Sequence, residues 1–206
     1  MRKLILISIL FLNFITYGQT HLYENPKFDE IAGNHKIIAV IPFSSSVELR
    51  PKQMKKLSDS DLKKLEKDEG YSIQSAMYSW FLKRKKRGAL KIDIQDISKT
   101  NAVLLKKKIS LNNYKEYTPK ELADILEVDA IIMGDFSTNK PVSELVGVFW
   151  GNTNSATVNL NIYNAKDGEL LVNYNKNVKG SLGSSPDDLI NKIMRKASRR
   201  IAYTKD

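Results

Sequence analysis

The feature that most constrains this chain is a run at residues 36–43 that is almost wholly apolar, rich in β-branched side chains and closed by Pro42 and Phe43. A strand with one face in water alternates apolar and polar residues, whereas a strand covered on both faces is apolar throughout. The run therefore predicts a central strand with helices on both faces of its sheet. At 206 residues, of which 42% are hydrophobic and 27% charged, the chain has the length and composition of one globular domain.

A long helical pattern follows, from about Asp59 to Arg87. Its apolar residues recur at intervals of three and four, and this spacing directs Trp80 toward the core. Gly70 lies inside the pattern and is expected to bend or split the helix, because glycine is a poor helix former. Cations fill the last turn, where they oppose the partial negative charge of the helix end.

Shorter signals of the same kinds predict the remaining elements. Residues 164–168 favour a turn, and the alternating residues on either side of it predict a β-hairpin. Thr118, Pro119 and Glu121 form the sequence signature of a capped helix start. The other expected elements are a strand at residues 90–94, a helix that begins at Ser98 or Thr100, a strand at residues 129–134 and a last helix after Ser185.

The order of these elements is βαβααβββα, which predicts an α/β fold. We expect a single domain at residues 36–206, with a mixed β-sheet of about five strands and helices packed on it. Residues 19–35 are polar and contain Pro26 and Gly33, so an irregular leader is expected there. Residues 44–57 are expected to form a loop.

The amino-terminal residues have the pattern of a secretory signal peptide at residues 1–18. A positively charged start precedes the apolar residues 4–12, and small residues stand before Gln19, where cleavage is expected. The alternative is an uncleaved anchor, but the apolar run is shorter than the roughly 20 residues of a membrane span, and Asn13 interrupts it. The chain is therefore predicted to reach the periplasm or the exterior of the cell.

The chain contains no cysteine and two histidines. Without cysteine the sequence cannot form disulfides, thiolate zinc sites, cysteine nucleophiles or a cysteine-linked lipid anchor, so no lipid anchor is expected. The two histidines, His21 and His35, leave little material for a metal site or for acid–base catalysis. We expect no metal site and no cofactor.

Two kinds of catalytic arrangement are conceivable, and each has a simpler structural explanation. Ser44 follows the first strand, but its surroundings lack a nucleophile elbow, and His35 is the single candidate base. Carboxylate pairs of the kind that glycosidases use are the other arrangement. The candidate pairs are Asp93 with Asp96 and Asp129 with Asp135. Loops and strand ends explain these residues better, so no catalytic residue is predicted and the chain is not expected to be an enzyme.

An apolar stretch between two expected strands is the first candidate for a binding surface. Its side chains either fold onto the core as a flap or remain exposed as a loop that docks on another protein. The predicted partner-binding residues are Val142, Leu145, Val148, Phe149 and Trp150.

Two lysine-rich helix ends are the second candidate, in a chain with a formal net charge of +10. Each is either a solvated helix end or a contact for anionic lipid head groups or envelope polymers. Nucleic acid is not expected as a partner, because export separates the chain from it. The residues are Lys83, Arg84, Lys85, Lys86 and Arg87 at the first end and Lys106, Lys107 and Lys108 at the second.

Three stretches resemble a family of bacterial envelope proteins, those that share the fold of the curli-secretion lipoprotein and of the TolB amino-terminal domain. They are the first strand at residues 38–43, the helix and strand at residues 121–134 and the hairpin turn at residues 164–171. The chain departs from this family because it has no cysteine after the signal peptide and no pair of long amphipathic hairpins. Neither the lipid anchor of many relatives nor a membrane pore is therefore implied.

The resemblance implies an accessory or assembly factor without catalytic residues. Together with the export signal, it predicts an exported, non-enzymatic cell-envelope protein that acts as a protein-binding module in an envelope assembly or secretion process. Its partners would be envelope proteins, and a homo-oligomer is one of the assemblies that this allows. The alternative is a peripheral module that binds anionic envelope polymer or lipid head groups through its basic helix ends.

Overall fold

A mixed β-sheet runs through the part of the chain that the computed structural model describes, residues 20–49, 54–139, 155–180 and 185–204. Within these residues the sheet has seven strands, in place of the five or so expected, and the predicted α/β class is confirmed. The strands are β1 (Thr20–Glu24), β2 (Ile37–Val40), β3 (Ser44–Glu48), β4 (Asp93–Ile94), β5 (Ala130–Asn139), β6 (Ser155–Asn164) and β7 (Leu170–Lys179).

Five α-helices accompany the sheet in the described residues. They are α1 (Phe28–Ala32), α2 (Asp59–Lys86), α3 (Ile97–Lys106), α4 (Pro119–Leu126) and α5 (Pro186–Ala197). The predicted start of α4 is confirmed. Thr118 Oγ1 accepts the backbone N–H of Glu121 at 3.2 Å, and the Glu121 carboxylate accepts the backbone N–H of Thr118 at 2.7 Å. These two bonds satisfy donors that a helix start would otherwise leave unpaired.

The strand order is β1-β7-β6-β5-β2-β4. β2 runs parallel to both β5 and β4, whereas β6, β7 and β1 follow one another in antiparallel fashion. β3 lies beyond the end of β2 and pairs with the same neighbour, β5. Ile38 of β2 is level with Ala130, and Ser44 of β3 is level with Asp135.

Pro42 divides what the sequence predicts as one strand. Ile41 still donates its N–H to the carbonyl of Ile132 at 3.0 Å, but proline has no N–H and the ladder stops. The chain then resumes pairing as β3. The loop expected at residues 44–57 is therefore wrong for Ser44–Glu48.

The two faces of the sheet carry two separate hydrophobic cores. The larger core lies under α1, α2 and α5, and the smaller core lies under α3 and α4. β2 and the residue after it contribute to both, since Ile38 and Val40 belong to the larger core and Ala39 and Ile41 to the smaller one. All four side chains are buried, so the predicted central strand, covered on both faces, is confirmed.

α2 is continuous through Gly70, so the helix is not split there, and the bend stays a prediction. Glycine is needed there because of a close approach, since a Cβ at this position would overlap the backbone oxygen of Phe43. Gly134 in β5 makes room for the same residue, because a Cβ there would lie 2.9 Å from the Phe43 ring. The fully buried Phe43 thus joins α2 to the sheet.

Trp80 is a second correction within α2. It lies at the margin of the larger core and is partly buried, whereas the helical pattern predicts a side chain inside the core. The nitrogen of Lys83 stands 4.6 Å from the centroid of its ring. The outer part of the indole therefore faces water and a cation.

Two element boundaries near β4 also differ from expectation. The strand expected at residues 90–94 is reduced to Asp93–Ile94, because the N–H of Lys91 bonds to the carbonyl of Tyr203 at 3.3 Å instead of to a strand. α3 is capped by Asp96 and not by Ser98 or Thr100, as its carboxylate accepts the N–H of Ser98 at 2.8 Å.

The segment expected to be an irregular leader holds two elements. β1 pairs antiparallel with β7, from Thr20 opposite Lys176 to Glu24 opposite Val172, and α1 buries Phe28 in the larger core. Each element has five residues, which is too short to produce a clear periodicity. The predicted signal peptide, residues 1–18, lies outside the described residues. None of the described helices is both long and apolar enough to cross a membrane.

Candidate functional site

Ser44 and His35, the candidate nucleophile and base, lie at different ends of the sheet. Ser44 is level with Asp135, whereas Ile38, just after His35, is level with Ala130. Five residues of β5 separate these two levels, about 16 Å at the rise of an extended strand. The structure does not bring the two side chains together.

His35 is instead paired with a residue that follows α5. Its Nδ1 and the hydroxyl of Tyr203 share a hydrogen bond of 2.6 Å. Burial lowers the pKa of His35, and the negative charge of Asp129 opposes that shift. Burial also raises the pKa of Tyr203. Both groups are therefore neutral at pH 7, and their contact ties the end of the described chain to the start of β2.

A polar cleft of about 530 Å³ opens beside this pair. The carboxylate of Asp129 lies on its wall and accepts the backbone N–H of Lys36 at 2.7 Å and that of Ile37 at 2.9 Å. These two bonds fix the entry of the chain into β2. The carboxylate is thus committed to the backbone, which leaves it poorly suited to act as a general base.

The carboxylates of the two candidate pairs have other partners or lie far apart. Asp93 forms an ion pair with Lys85, and Asp96 caps α3. Asp129 and Asp135 are six residues apart along one extended segment, about 20 Å at the rise of a strand. Glycosidase carboxylates stand within about 10 Å of one another.

The described residues contain no group of three or more side chains able to hold a metal ion. His21 lies on β1 and His35 stands just before β2. Three strands, β7, β6 and β5, lie between β1 and β2 in the sheet. The two imidazoles therefore belong to separate surroundings.

The predicted basic site at the end of α2 is partly engaged within the chain. Lys83 stands over Trp80, and Lys85 pairs with Asp93. Arg84 also has a contact inside the chain. The binding of anionic ligands by Lys83, Arg84, Lys85, Lys86 and Arg87 stays a prediction.

The predicted docking loop falls between β5 and β6. β5 ends at Asn139 and β6 begins at Ser155, and the intervening residues lie outside those that the structure describes. The role assigned to Val142, Leu145, Val148, Phe149 and Trp150 stays a prediction.

Sequence reasoning missed the outer edge of β1. This strand ends the sheet on its side, and no described strand pairs with its outer edge. Leu22 and Tyr23 on this strand are 41% and 47% exposed. An uncovered edge can pair with a strand of another chain. The available signal is two large apolar residues in a polar segment, which is too little to predict a strand.

No protein-family model matches this sequence, and the search of curated proteins finds no match. Solved structures do align with it. The PelC dodecamer from Paraburkholderia phytofirmans is 10% identical, with a TM-score of 0.51, and the alignment covers 88% of this chain and 96% of PelC.

The chain shares its fold with PelC. Lipoprotein GNA1162 from Neisseria meningitidis aligns with a TM-score of 0.48 at 10% identity, over 81% of this chain and 96% of that one. The LpoB C-terminal domain from Salmonella enterica aligns with a TM-score of 0.37 at 7% identity, over 75% and 94%. The finer resemblance of the sequence to the curli-secretion and TolB proteins stays a prediction.

Proposed function

We propose that this chain is an exported, non-enzymatic module of the bacterial cell envelope that acts by binding proteins, its own copies among them. The observation that carries the proposal is the fold shared with PelC, whose solved structure is a dodecamer, over 88% of this chain. The signal-peptide pattern at residues 1–18 supports export.

The surroundings of the candidate catalytic groups support the non-enzymatic part of the proposal. His35 is bonded to Tyr203, and Asp129 is bonded to the backbone at the start of β2. Ser45, next to Ser44, donates its hydroxyl to Glu69. Each of these groups has a structural partner among the described residues, and the candidate nucleophile Ser44 and the candidate base His35 lie far apart along the sheet.

The edge of β1 is the described surface best suited to self-association. No described strand pairs with its outer side, and it carries two half-exposed apolar side chains, Leu22 and Tyr23. Main-chain hydrogen bonds along such an edge would supply affinity, and the two side chains would supply apolar area. The same edge on a second copy, or another edge of the sheet, would be its partner.

Light scattering coupled to size-exclusion chromatography tests the proposal. We expect the purified chain to elute as a species whose mass is a multiple of the monomer mass. The double variant Leu22→Glu with Tyr23→Glu is expected to elute as a monomer, because it places like charges at the shared edge. Its melting temperature should stay close to that of the parent chain, since both side chains are half exposed.

A matched control is available on α2. Leu65 and Leu82 are 41% and 42% exposed, nearly the values of the β1 pair, and the variant Leu65→Glu with Leu82→Glu should keep the assembly. A parent chain that stays monomeric at every concentration would contradict self-association. Equal dissociation of the control variant would contradict the assignment to β1.

A further inference from the structure

An apolar pocket of about 110 Å³ lies beside the end of β2, between α2, α3 and α4. Leu104, Ile109 and Leu122 are buried in its walls, and Leu111 is partly buried there. An apolar cavity of about 150 Å³ in another protein stays dry and takes up benzene. A pocket of this size and lining therefore suits a short apolar group, such as the end of a hydrocarbon chain.

The opening of the pocket is marked by three lining residues that are exposed, Lys67, Leu105 and Ser110. Leu105 is 77% exposed, the highest value for a large apolar side chain in the described residues, and Tyr23 follows at 47%. The opening thus combines an ammonium group, a hydroxyl and an apolar side chain that is held in water.

Leu105 points outward because of the way α3 ends. The N–H of Ile109 donates to the carbonyl of Leu104 at 2.8 Å, and the N–H of Lys108 donates to that of Leu105 at 2.9 Å. This pair of bonds is the Schellman motif, which brings its first and last residues into apolar contact. Leu104 and Ile109 are accordingly buried in the smaller core, and the adjacent Leu105 is left on the surface.

Three lysines follow Leu105. Lys106, Lys107 and Lys108 are all exposed, and none of them forms an ion pair with a described residue. Lys108 has a φ of 59°, in the left-handed region that glycine adopts at lower cost. A cation therefore occupies a position where backbone geometry favours glycine.

We propose that the end of α3 binds the surface of a membrane that contains anionic phospholipid. Leu105 enters the head-group region, the pocket takes the end of an acyl chain, and Lys67 and the three lysines after Leu105 contact lipid phosphates. Apolar side chains with cations close to them are the combination that anionic interfaces recognise.

Charge complementarity and the pocket together select this occupant. An anionic polymer would engage the lysines and leave Leu105 and the pocket unused. An apolar segment of a protein would use the pocket and leave four cations without partners. An anionic lipid uses the pocket, Leu105 and the cations at once. This inference goes beyond the proposed function and does not depend on self-association.

Sedimentation with large vesicles tests the proposal on the full chain. We expect tighter binding to vesicles of phosphatidylglycerol and phosphatidylcholine than to vesicles of phosphatidylcholine alone, and weaker binding at high salt. The variant Lys106→Gln, Lys107→Gln, Lys108→Gln should bind about a hundredfold more weakly, since each lysine near an anionic surface contributes about fivefold. Leu105→Ser should lower binding about tenfold.

Matched variants separate this surface from general charge and apolarity. Exposed lysines on three other helix positions give the control variant Lys63→Gln, Lys99→Gln, Lys192→Gln, which has the same net charge as the test variant. Leu82→Ser, on α2, is the control for Leu105→Ser. Both controls should bind as the parent chain does, and every variant carries the same amino terminus. Equal binding to neutral and anionic vesicles, or an equal loss in the control variants, would overturn the proposal.

A second measurement reads the pocket directly. Methyl NMR with monomeric dihexanoyl phosphatidylglycerol should shift the signals of Leu104 and Leu111, which line the pocket. The signals of Leu65 and Leu82, exposed on α2, should stay in place. Unchanged signals for Leu104 and Leu111 would show that no acyl chain enters, and the pocket would then have no part in lipid binding.

Discussion

The two faces of the sheet are covered by helices of different lengths. One face is closed by α2, with 28 residues, and α5, with 12 residues, over the larger core. The other face is covered by α3 and α4, with 10 and 8 residues, over the smaller core, and it keeps an apolar pocket. Because the same central strand, β2, supplies both cores, the difference arises from the helices. We infer that the larger face determines stability and the smaller face leaves room for a ligand.

The basic ends of α2 and α3 also differ, in how many of their cations have partners within the chain. Both ends are runs of cations at the carboxyl end of a helix, and the sequence does not distinguish them. At the end of α2, Lys83 and Lys85 have partners within the chain. At the end of α3, no described residue pairs with the lysines, and an exposed leucine stands beside them. Similar charge runs thus differ in what they leave available to a partner.

The largest expected effect compares one residue from each core. Phe81→Ala in the larger core should lower the free energy of unfolding by about 3–5 kcal/mol, because it removes a fully buried ring from close packing. Leu104→Ala in the smaller core should lower it by about 2 kcal/mol, at the low end for this substitution, because Leu104 already borders a pocket. Denaturant titrations of both variants measure the difference. Equal losses would mean that the smaller core is packed as tightly as the larger one.

A smaller effect on stability is expected from Gly70→Ala, and its sign should be opposite to the one that helix propensity predicts. Alanine is a better helix former than glycine by about 1 kcal/mol. Gly70→Ala should nevertheless destabilise the chain by about 1–3 kcal/mol, because the new Cβ would overlap the backbone oxygen of Phe43.

Ser75→Ala, at an exposed position of the same helix, is the control for Gly70→Ala, and it should raise the free energy of unfolding by about 0.5 kcal/mol or less. Thermal unfolding followed by circular dichroism compares the two variants. If Gly70→Ala behaved as Ser75→Ala does, the close contact between α2 and the end of β2 would be absent.

Much of the larger face could be predicted from the sequence. The apolar run at residues 36–43 and the alternation in β6 and β7 identify buried strands by their periodicity. What could not be predicted depends on contacts between distant residues. Gly70 is unfavourable as a helix residue and is explained by Phe43, which lies 27 positions away. β1 and β3 are short strands whose partners are distant in sequence, β7 and β5.

The candidate surfaces were less predictable than the fold. The lysines after Leu105 are visible in the sequence, but the exposure of Leu105 is not, because Leu104 and Leu105 are identical neighbours at the end of the helix. The Schellman motif decides which of the two is buried, and that motif depends on the φ of Lys108. Sequence patterns report which side chains are apolar, whereas the geometry of a helix end determines which of them face water.

The smallest expected effect concerns the same end of α3. Glycine should raise the free energy of unfolding at Lys108 and lower it at the adjacent Lys107. Lys108 has a φ of 59°, so Lys108→Gly relieves a left-handed strain of about 1–2 kcal/mol and adds about 0.5–1 kcal/mol of chain entropy to the unfolded state. The net result should be a rise of about 1 kcal/mol or less in the free energy of unfolding. Lys107 has a φ of −84°, so Lys107→Gly relieves no strain and should lower the free energy of unfolding by about 0.5–1 kcal/mol.

Both variants lose one charge and should bind anionic vesicles about fivefold more weakly. A Lys108→Gly variant that is more stable yet binds less would show that this position sacrifices stability for its charge. If both glycine variants were destabilised equally, Lys108 would not be strained by its positive φ. If both variants bound vesicles as the parent chain does, these lysines would not contribute to lipid binding.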